Sequence, residues 1–284
     1  NPGHCRRSEG LAMALLAITE PGDEVIIPDP AYVAYPASVE LAGGTPIFVP
    51  TYPEHDFKLT VEALEKVITP KTKAIVIGYP NNPTGTVMSA EELMPIAKFA
   101  EEHDLIVLSD EIYCELMYGD AKFTSFAKLP GMRERTVIFN GFSKAYAMTG
   151  MRLGYVCAPR EGLAPILKLH QYAIMCANTT AQVGGITALK ECDDDVEAMR
   201  QEYDRRRQVI YKGLRDIGLP VFEPKGAFYI FPDIRCTGMK SSESAKNWYR
   251  KKKLPSFPVR PLANRAKALS AFPMQPAWKR LKKP

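Results

Sequence analysis

Five short runs of Val, Ile and Leu, separated by stretches of helical periodicity, constrain this chain more than any other feature. They are Glu24-Val-Ile-Ile27, Pro46-Ile-Phe-Val49, Lys73-Ala-Ile-Val-Ile77, Leu105-Ile-Val-Leu108 and Thr136-Val-Ile-Phe139; a sixth, Leu153-Gly-Tyr-Val-Cys157, follows. The runs are continuously apolar, so each reads as a strand buried on both faces. Between them, Val61–Ile68 and Ala90–His103 space their apolar residues at the 3.6-residue helical period. The second opens on Ser89-Ala-Glu-Glu92, the capping-box signature of a helix N-terminus. Such an order predicts an α/β fold whose mostly parallel sheet is flanked by helices. In these sheets ligands bind beyond the carboxyl ends of the strands, so chemistry is expected in the loops that follow them.

At 284 residues the chain suffices for one large domain, or a domain and a half, and 46% hydrophobic with 24% charged residues describes a globular protein. No apolar run approaches the roughly 20 residues that cross a bilayer, and the opening is not a signal peptide, so no membrane partner is expected. Six cysteines lie scattered without CxxC spacing, which suits a reducing cytoplasm better than a disulfide framework or a zinc site. His4, His55, His103 and His170 fall at no ligand spacing, so no metal is expected.

Charge is unevenly distributed. Residues 244–284 hold twelve Lys/Arg and no Asp or Glu, and the rest of the chain carries 25 basic against 32 acidic residues. A basic tail of this kind can bind polyanions. Trp248, Tyr249 and Trp278 are its obvious stacking rings, and prolines interrupt it, so nucleic acid is not the favoured partner.

Three loops carry the candidate chemistry. After Ile77 comes Gly78-Tyr-Pro-Asn-Asn-Pro-Thr-Gly85, first of all a turn by composition, but one that presents the Asn82 amide. After Leu108 comes Ser109-Asp-Glu-Ile-Tyr113, in which Asp110 is either a helix N-cap or a carboxylate aimed at a ligand. After Phe139 comes Asn140-Gly-Phe-Ser-Lys-Ala-Tyr-Ala-Met-Thr-Gly-Met-Arg-Leu-Gly154, which places Lys144 between small residues. A lone lysine there would be an ordinary surface residue. Burial favours its neutral amine, the form that makes an imine.

Asn82-Pro-Thr-Gly85, Ser109-Asp-Glu-Ile-Tyr113 and Ser143-Lys144 with Gly150-Met-Arg-Leu-Gly154 occur in that order. In combination they resemble the fold-type I, pyridoxal-phosphate-dependent aminotransferases of class I/II, the aspartate aminotransferase family, from about Ser8 to Gly238. The resemblance implies pyridoxal 5′-phosphate as cofactor and transamination between an α-amino acid and a 2-oxo acid. It implies that Lys144 binds the cofactor covalently and shuttles the proton, and that Asp110 pairs with the pyridine nitrogen. Asn82 and Tyr113 would bond the 3′-oxygen. Tyr32, in Asp29-Pro-Ala-Tyr-Val-Ala-Tyr35, would stack on the ring, with core packing as the plain alternative. Arg152, Ser143 and Ser8 would hold the phosphate. The family often has Trp where Met151 stands. Its members are homodimers, so a second copy is an expected partner. A C–S β-lyase and a non-catalytic remnant are the alternative readings.

The chain also departs from that pattern. The segment that precedes Ser8 in the family is expected to be missing. Asn1-Pro-Gly-His-Cys-Arg-Arg7 stands where a strand and a loop of small residues belong, although Ser8-Glu9-Gly10 fits the loop's end. Permitted codons for Asn1–Arg6, read one base later, encode a strand of the expected type. Codons for Ala245–Phe272, read two bases later, encode a helix, strand and loop ending at the family's carboxylate-binding arginine, across Ser270 and Ala271. Frame-shifted ends are therefore expected, and Ala245–Arg260 as written is expected to form no regular element. The expected division is 1–165, a cofactor-binding large domain lacking its N-terminal part; 166–215, connecting helices; 216–243, the start of a small α+β domain opening on a hairpin over Val221–Phe231; and 244–284, an aberrant basic tail.

Overall fold

The continuous apolar runs fold as strands of one sheet. The structure, a computed structural model, describes residues 3–4, 7–252, 257–259 and 269–273. In chain order the first elements are β1 (Gly3–His4), α1 (Arg7–Ile18), β2 (Glu24–Asp29), α2 (Ala34–Leu41), β3 (Thr45–Pro50), α3 (Val61–Glu65) and β4 (Thr72–Ile77). There follow α4 (Ala90–Glu102), β5 (Ile106–Asp110), β6 (Thr136–Gly141) and β7 (Gly154–Cys157). The sheet order is β1-β7-β6-β5-β4-β2-β3; β2 to β6 run parallel, and β7 runs antiparallel to both β6 and β1.

Side chains alternate across the sheet, so each run fills two cores. Val25, Ile27, Ala74, Val76 and Leu108 pack on Leu15 of α1 and Val39 of α2, on the face that also takes Ile166. Ile26, Ile75, Ile77 and Val107 pack on Leu64 of α3 and on Leu93, Ile96 and Phe99 of α4. Both halves of the capping box at Ser89 and Glu92 are present.

Where connecting helices are expected over 166–215, the chain forms α5 (Arg160–Ala173), α6 (Thr179–Glu191) and α7 (Asp193–Asp216). The last opens on the charged run Asp193–Arg207 and continues to Asp216. Three aspartates occupy its first turn, where they suit the helix dipole, and Glu197–Arg200 and Glu202–Arg206 pairs line its exposed face.

The expected hairpin over Val221–Phe231 does not form. A bridge between Val221 and Pro232 joins its ends, and within it Tyr229–Ile230 is a short strand, β8. The residues between fold onto the large sheet's loops. Lys225 and Gly226 both donate their N–H to the Gly85 carbonyl at 3.0 Å, Tyr118 N donates to Lys225 O, and Ala227 N donates to Leu116 O. Gly226 permits this approach: a Cβ there would lie 2.5 Å from Pro80 Cβ. Pairing with the Asn82 loop thus replaces pairing within the hairpin.

The expected absence of regular structure after Ala245 is also corrected. Helix α8 spans Ser241–Lys252, and β9 (Phe257–Val259) and β10 (Leu269–Pro273) join β8 in an antiparallel sheet of order β8-β10-β9. Pro258 is tolerated because β9 is an edge strand, where a missing N–H costs no ladder bond on the open side. At the other end, Gly3 and His4 pair with Tyr155 and Gly154, and such backbone pairing asks little of the side chains. Asn1, Pro2, Cys5, Arg6, the remaining tail residues and the rings of Trp248, Tyr249 and Trp278 lie outside the described residues.

Gly85 has φ +75°, and a Cβ on it would meet Pro224 Cβ at 2.3 Å and Gly226 O at 3.0 Å. Gly85→Ala should therefore lower the unfolding free energy by about 3 kcal/mol, through overpacking and left-handed backbone strain together. A urea titration checks this; an unshifted midpoint would show that the 224–226 segment does not need this close approach.

Candidate active site

The strand directions bring the candidate loops to one edge. Tyr32, Asn82, Asp110 and Lys144 follow or end parallel strands β2, β4, β5 and β6. Arg152 precedes a strand instead, yet reaches the same edge because β7 is antiparallel and Gly154 pairs with Gly141 at the end of β6. β1 is antiparallel to β7, with His4 opposite Gly154, so the chain leaves β1 there too and enters α1 with Ser8 in its first turn.

Asp110 is buried, 5% exposed, and no helix starts beside it, so it is not an N-cap. Its Oδ1 accepts from Ile112 N at 3.3 Å, and its Oδ2 accepts from the Tyr35 phenol at 2.5 Å. Gly78 makes room for this bond, because a Cβ there would stand 2.9 Å from Tyr35 Oη. Tyr32 packs edge-on to Tyr35, ring centroids 5.6 Å apart. Tyr32 thus belongs to the Asp110 cluster, half-buried at its rim.

A second cluster holds the amine. Lys144 Nζ lies 5.9 Å above the Tyr113 ring and 5.0 Å above that of Phe228. Asn82 Nδ2 donates to Tyr229 Oη at 3.3 Å, and the Tyr113 and Tyr229 hydroxyls are 3.1 Å apart. Lys144 itself is half-buried in a tight turn, with Ala147 N donating to its carbonyl. Ser143 is half-buried beside it, and the left-handed Arg152 gives a guanidinium hydrogen bond to the Thr149 carbonyl. Among the described contacts, none joins Ser8, Ser143 or Arg152 directly to the two clusters.

Four features of the site carry no mark in the sequence. Tyr35 was readable only as a second tyrosine three residues after Tyr32, a spacing that puts both on one side of a turn. Phe228 and Tyr229 lie in the segment expected to be a hairpin, and nothing local says that it folds across Lys144. Glu111, the residue after β5, accepts from Ser109 Oγ (3.0 Å), Ser125 Oγ (2.7 Å) and Phe126 N (3.3 Å). Finally, Glu9, next to Ser8, meets His170 Nδ1 at 2.7 Å and ties the start of α1 to α5.

The donor set fits pyridoxal phosphate. It offers an amine, a buried carboxylate for a pyridine nitrogen, an amide and a phenol for a ring oxygen, and at Gly78 a residue small enough for the Tyr35–Asp110 bond. The description "Aminotransferase class I and II" belongs to the family model that matches residues 8–270, and the chain is a member of that family. The match runs past Gly238, the limit set by the motifs. An aspartate aminotransferase of Pyrococcus abyssi is 49% identical over 238 residues, 83% of this chain and 61% of that protein. Aromatic-amino-acid aminotransferase 2 of Thermococcus litoralis is 45% identical over 88% of this chain and 65% of its own length. The chain thus spans less than two thirds of these relatives. The crystal structure of an aromatic aminotransferase from Pyrococcus horikoshii superposes with a TM-score of 0.95 at 42% identity, over 99% of this chain and 76% of that one.

Two measurements test the site's electrostatics. Tyr35→Phe removes a donor from a buried carboxylate and should cost about 2 kcal/mol in denaturant unfolding; no loss would mean that the phenol does not support Asp110. Burial pushes the Glu111 carboxyl above its usual range, against hydrogen bonds from Ser125, Ser109 and Phe126 N. Glu111 therefore supports the fold when protonated, fully below the ordinary carboxylate range, and loses that support as pH rises through its raised value. Glu111→Gln, with a carbonyl oxygen for the same donors, should flatten this part of the dependence of melting temperature on pH; an unchanged slope would assign it to another group.

Proposed function

We propose that this chain binds pyridoxal 5′-phosphate at the described edge and carries the machinery for transamination between an α-amino acid and a 2-oxo acid. The reading rests above all on the convergence of Lys144, buried Asp110 and the Asn82–Tyr113 pair at one sheet edge. Bound there, the cofactor supplies an electron sink for the carbon bearing the substrate's amino group. Lys144 Nζ holds the cofactor and, once freed by substrate, carries the proton to and from it. Asp110, kept in place by Tyr35 and Ile112 N, holds a proton on the pyridine nitrogen. Asn82 and Tyr113 donate to the 3′-oxygen, and Tyr32 covers a ring face. Arg152, Ser143 and Ser8 receive the phosphate, the last from a helix N-terminus whose N–H groups and dipole favour anions. The relatives' names, aspartate and aromatic-amino-acid aminotransferase, support transamination over C–S lysis.

A homodimer is part of the proposal. Tyr172, Met175, Val183, Ile186 and Leu189 are large apolar side chains of α5, α6 and their connection, and all are more than half exposed. An apolar surface of this extent suits a second copy. Among the described residues no helix is long and apolar enough to cross a membrane, and the five described cysteines form no disulfides, which suits the cytoplasm.

Adding pyridoxal phosphate to the purified chain should produce a long-wavelength absorption band that Lys144→Ala abolishes. Turnover of amino acids in the parent should exceed that of the variant by on the order of 10²–10⁴-fold. A band without turnover would make the chain a cofactor-binding remnant, and no band would reject the cofactor.

A further inference from the structure

Tyr229 touches both residues assigned to the 3′-oxygen, from a segment far away in sequence. The donor inventory fixes the direction of one of its two hydrogen bonds. Asn82 Nδ2 can only donate, so Tyr229 Oη accepts at 3.3 Å and keeps its own proton. Tyr113 Oη lies 3.1 Å away, where either hydroxyl can donate to the other. If Tyr229 donates, Tyr113 is left to aim its proton at a different acceptor. The bonds then run one way, from amide to phenol to phenol, and each donor that accepts a bond donates more strongly in turn.

The arrangement is held firmly. Tyr113 is 4% exposed, and its ring stands edge-on to Phe228 at 5.3 Å and to Tyr229 at 6.0 Å. The backbone leading into Tyr229 is fixed by the paired bonds of Lys225 and Gly226 to Gly85 and by Ala227 N on Leu116 O. Among the described residues, charged and titratable groups approach from three sides. Lys144 lies over the Tyr113 and Phe228 rings, and Asp110 with Tyr35 lies at the end of β5. On α7, Tyr203 stacks on Phe228 and Arg206 lies over Tyr203.

We propose that Tyr229 gives its proton to Tyr113 and, as a positioning residue, polarises it, and so sets how strongly Tyr113 donates to the 3′-oxygen of bound pyridoxal phosphate. This rests on the cofactor assignment above. A donor at that oxygen competes with the proton the bound cofactor keeps beside it, so a weaker donor makes the proton harder to remove. Tyr229→Phe deletes one oxygen and leaves Lys144, Asp110, Tyr35, Tyr203 and Arg206 as they are.

The experiment is a spectrophotometric pH titration of the full chain loaded with pyridoxal phosphate, following the long-wavelength band. Tyr229→Phe should raise the titration midpoint by about half a pH unit, a roughly threefold gain in proton affinity. Tyr113→Phe should raise it further. Adding Tyr229→Phe to Tyr113→Phe should then change nothing more, because the effect passes through Tyr113. An unmoved midpoint in Tyr229→Phe, or an equal shift in both backgrounds, overturns the inference while the cofactor assignment stands. Absence of the band in the parent chain overturns both.

Discussion

The antiparallel pairing of β7 with β6 is the constraint on which the rest of the site depends. It turns the chain back after Lys144, so that Arg152 returns to the edge Lys144 has just left. It also offers β7's outer side to β1, which sets Ser8 and the start of α1 at the same edge. The pairing needs close contact: a Cβ on Gly141 would lie 3.0 Å from Gly154 Cα and from Leu153 O. A parallel crossover at this point would have sent Arg152 to the far end of the sheet.

Two polar clusters then share the edge with different logic. Around Asp110 the buried carboxyl group is met by two donors, Tyr35 and Ile112 N. Around Lys144 the amine lies over two rings, those of Phe228 and Tyr113. Rings attract a cation more weakly than a carboxylate does.

The segment from Glu223 to Tyr229 joins the second unit to the first. Arg207 of α7 bonds Glu223 and the Pro224 carbonyl and lies over Tyr118, whose hydroxyl in turn donates to the Ala227 carbonyl. Through these bonds Phe228 and Tyr229 become part of the large sheet's edge, although the chain reaches them only after three helices. The expected division at residue 216 follows the sequence order of elements, whereas this segment's hydrogen bonds belong to the loops after β4 and β5.

Much of the fold was legible because its signals are local. Continuous Val/Ile runs, helical periods and the Ser89–Glu92 box depend on neighbours a few residues apart, and they located β2 to β7 and α4 closely. The loop residues Asn82, Asp110, Tyr113 and Lys144 were legible by type and order, as members of a known combination of motifs. Tyr35, Phe228, Tyr229 and the Glu9–His170 pair were not, because their partners lie tens of residues away and no local pattern encodes them. The sequence by itself determined the parallel sheet and the side chains at its strand ends, since burial on both faces requires apolar runs. Only the tertiary structure decided which phenol meets Asp110 and which meets Tyr113, because that choice depends on the antiparallel return of β7 and on glycines small enough to let distant segments touch.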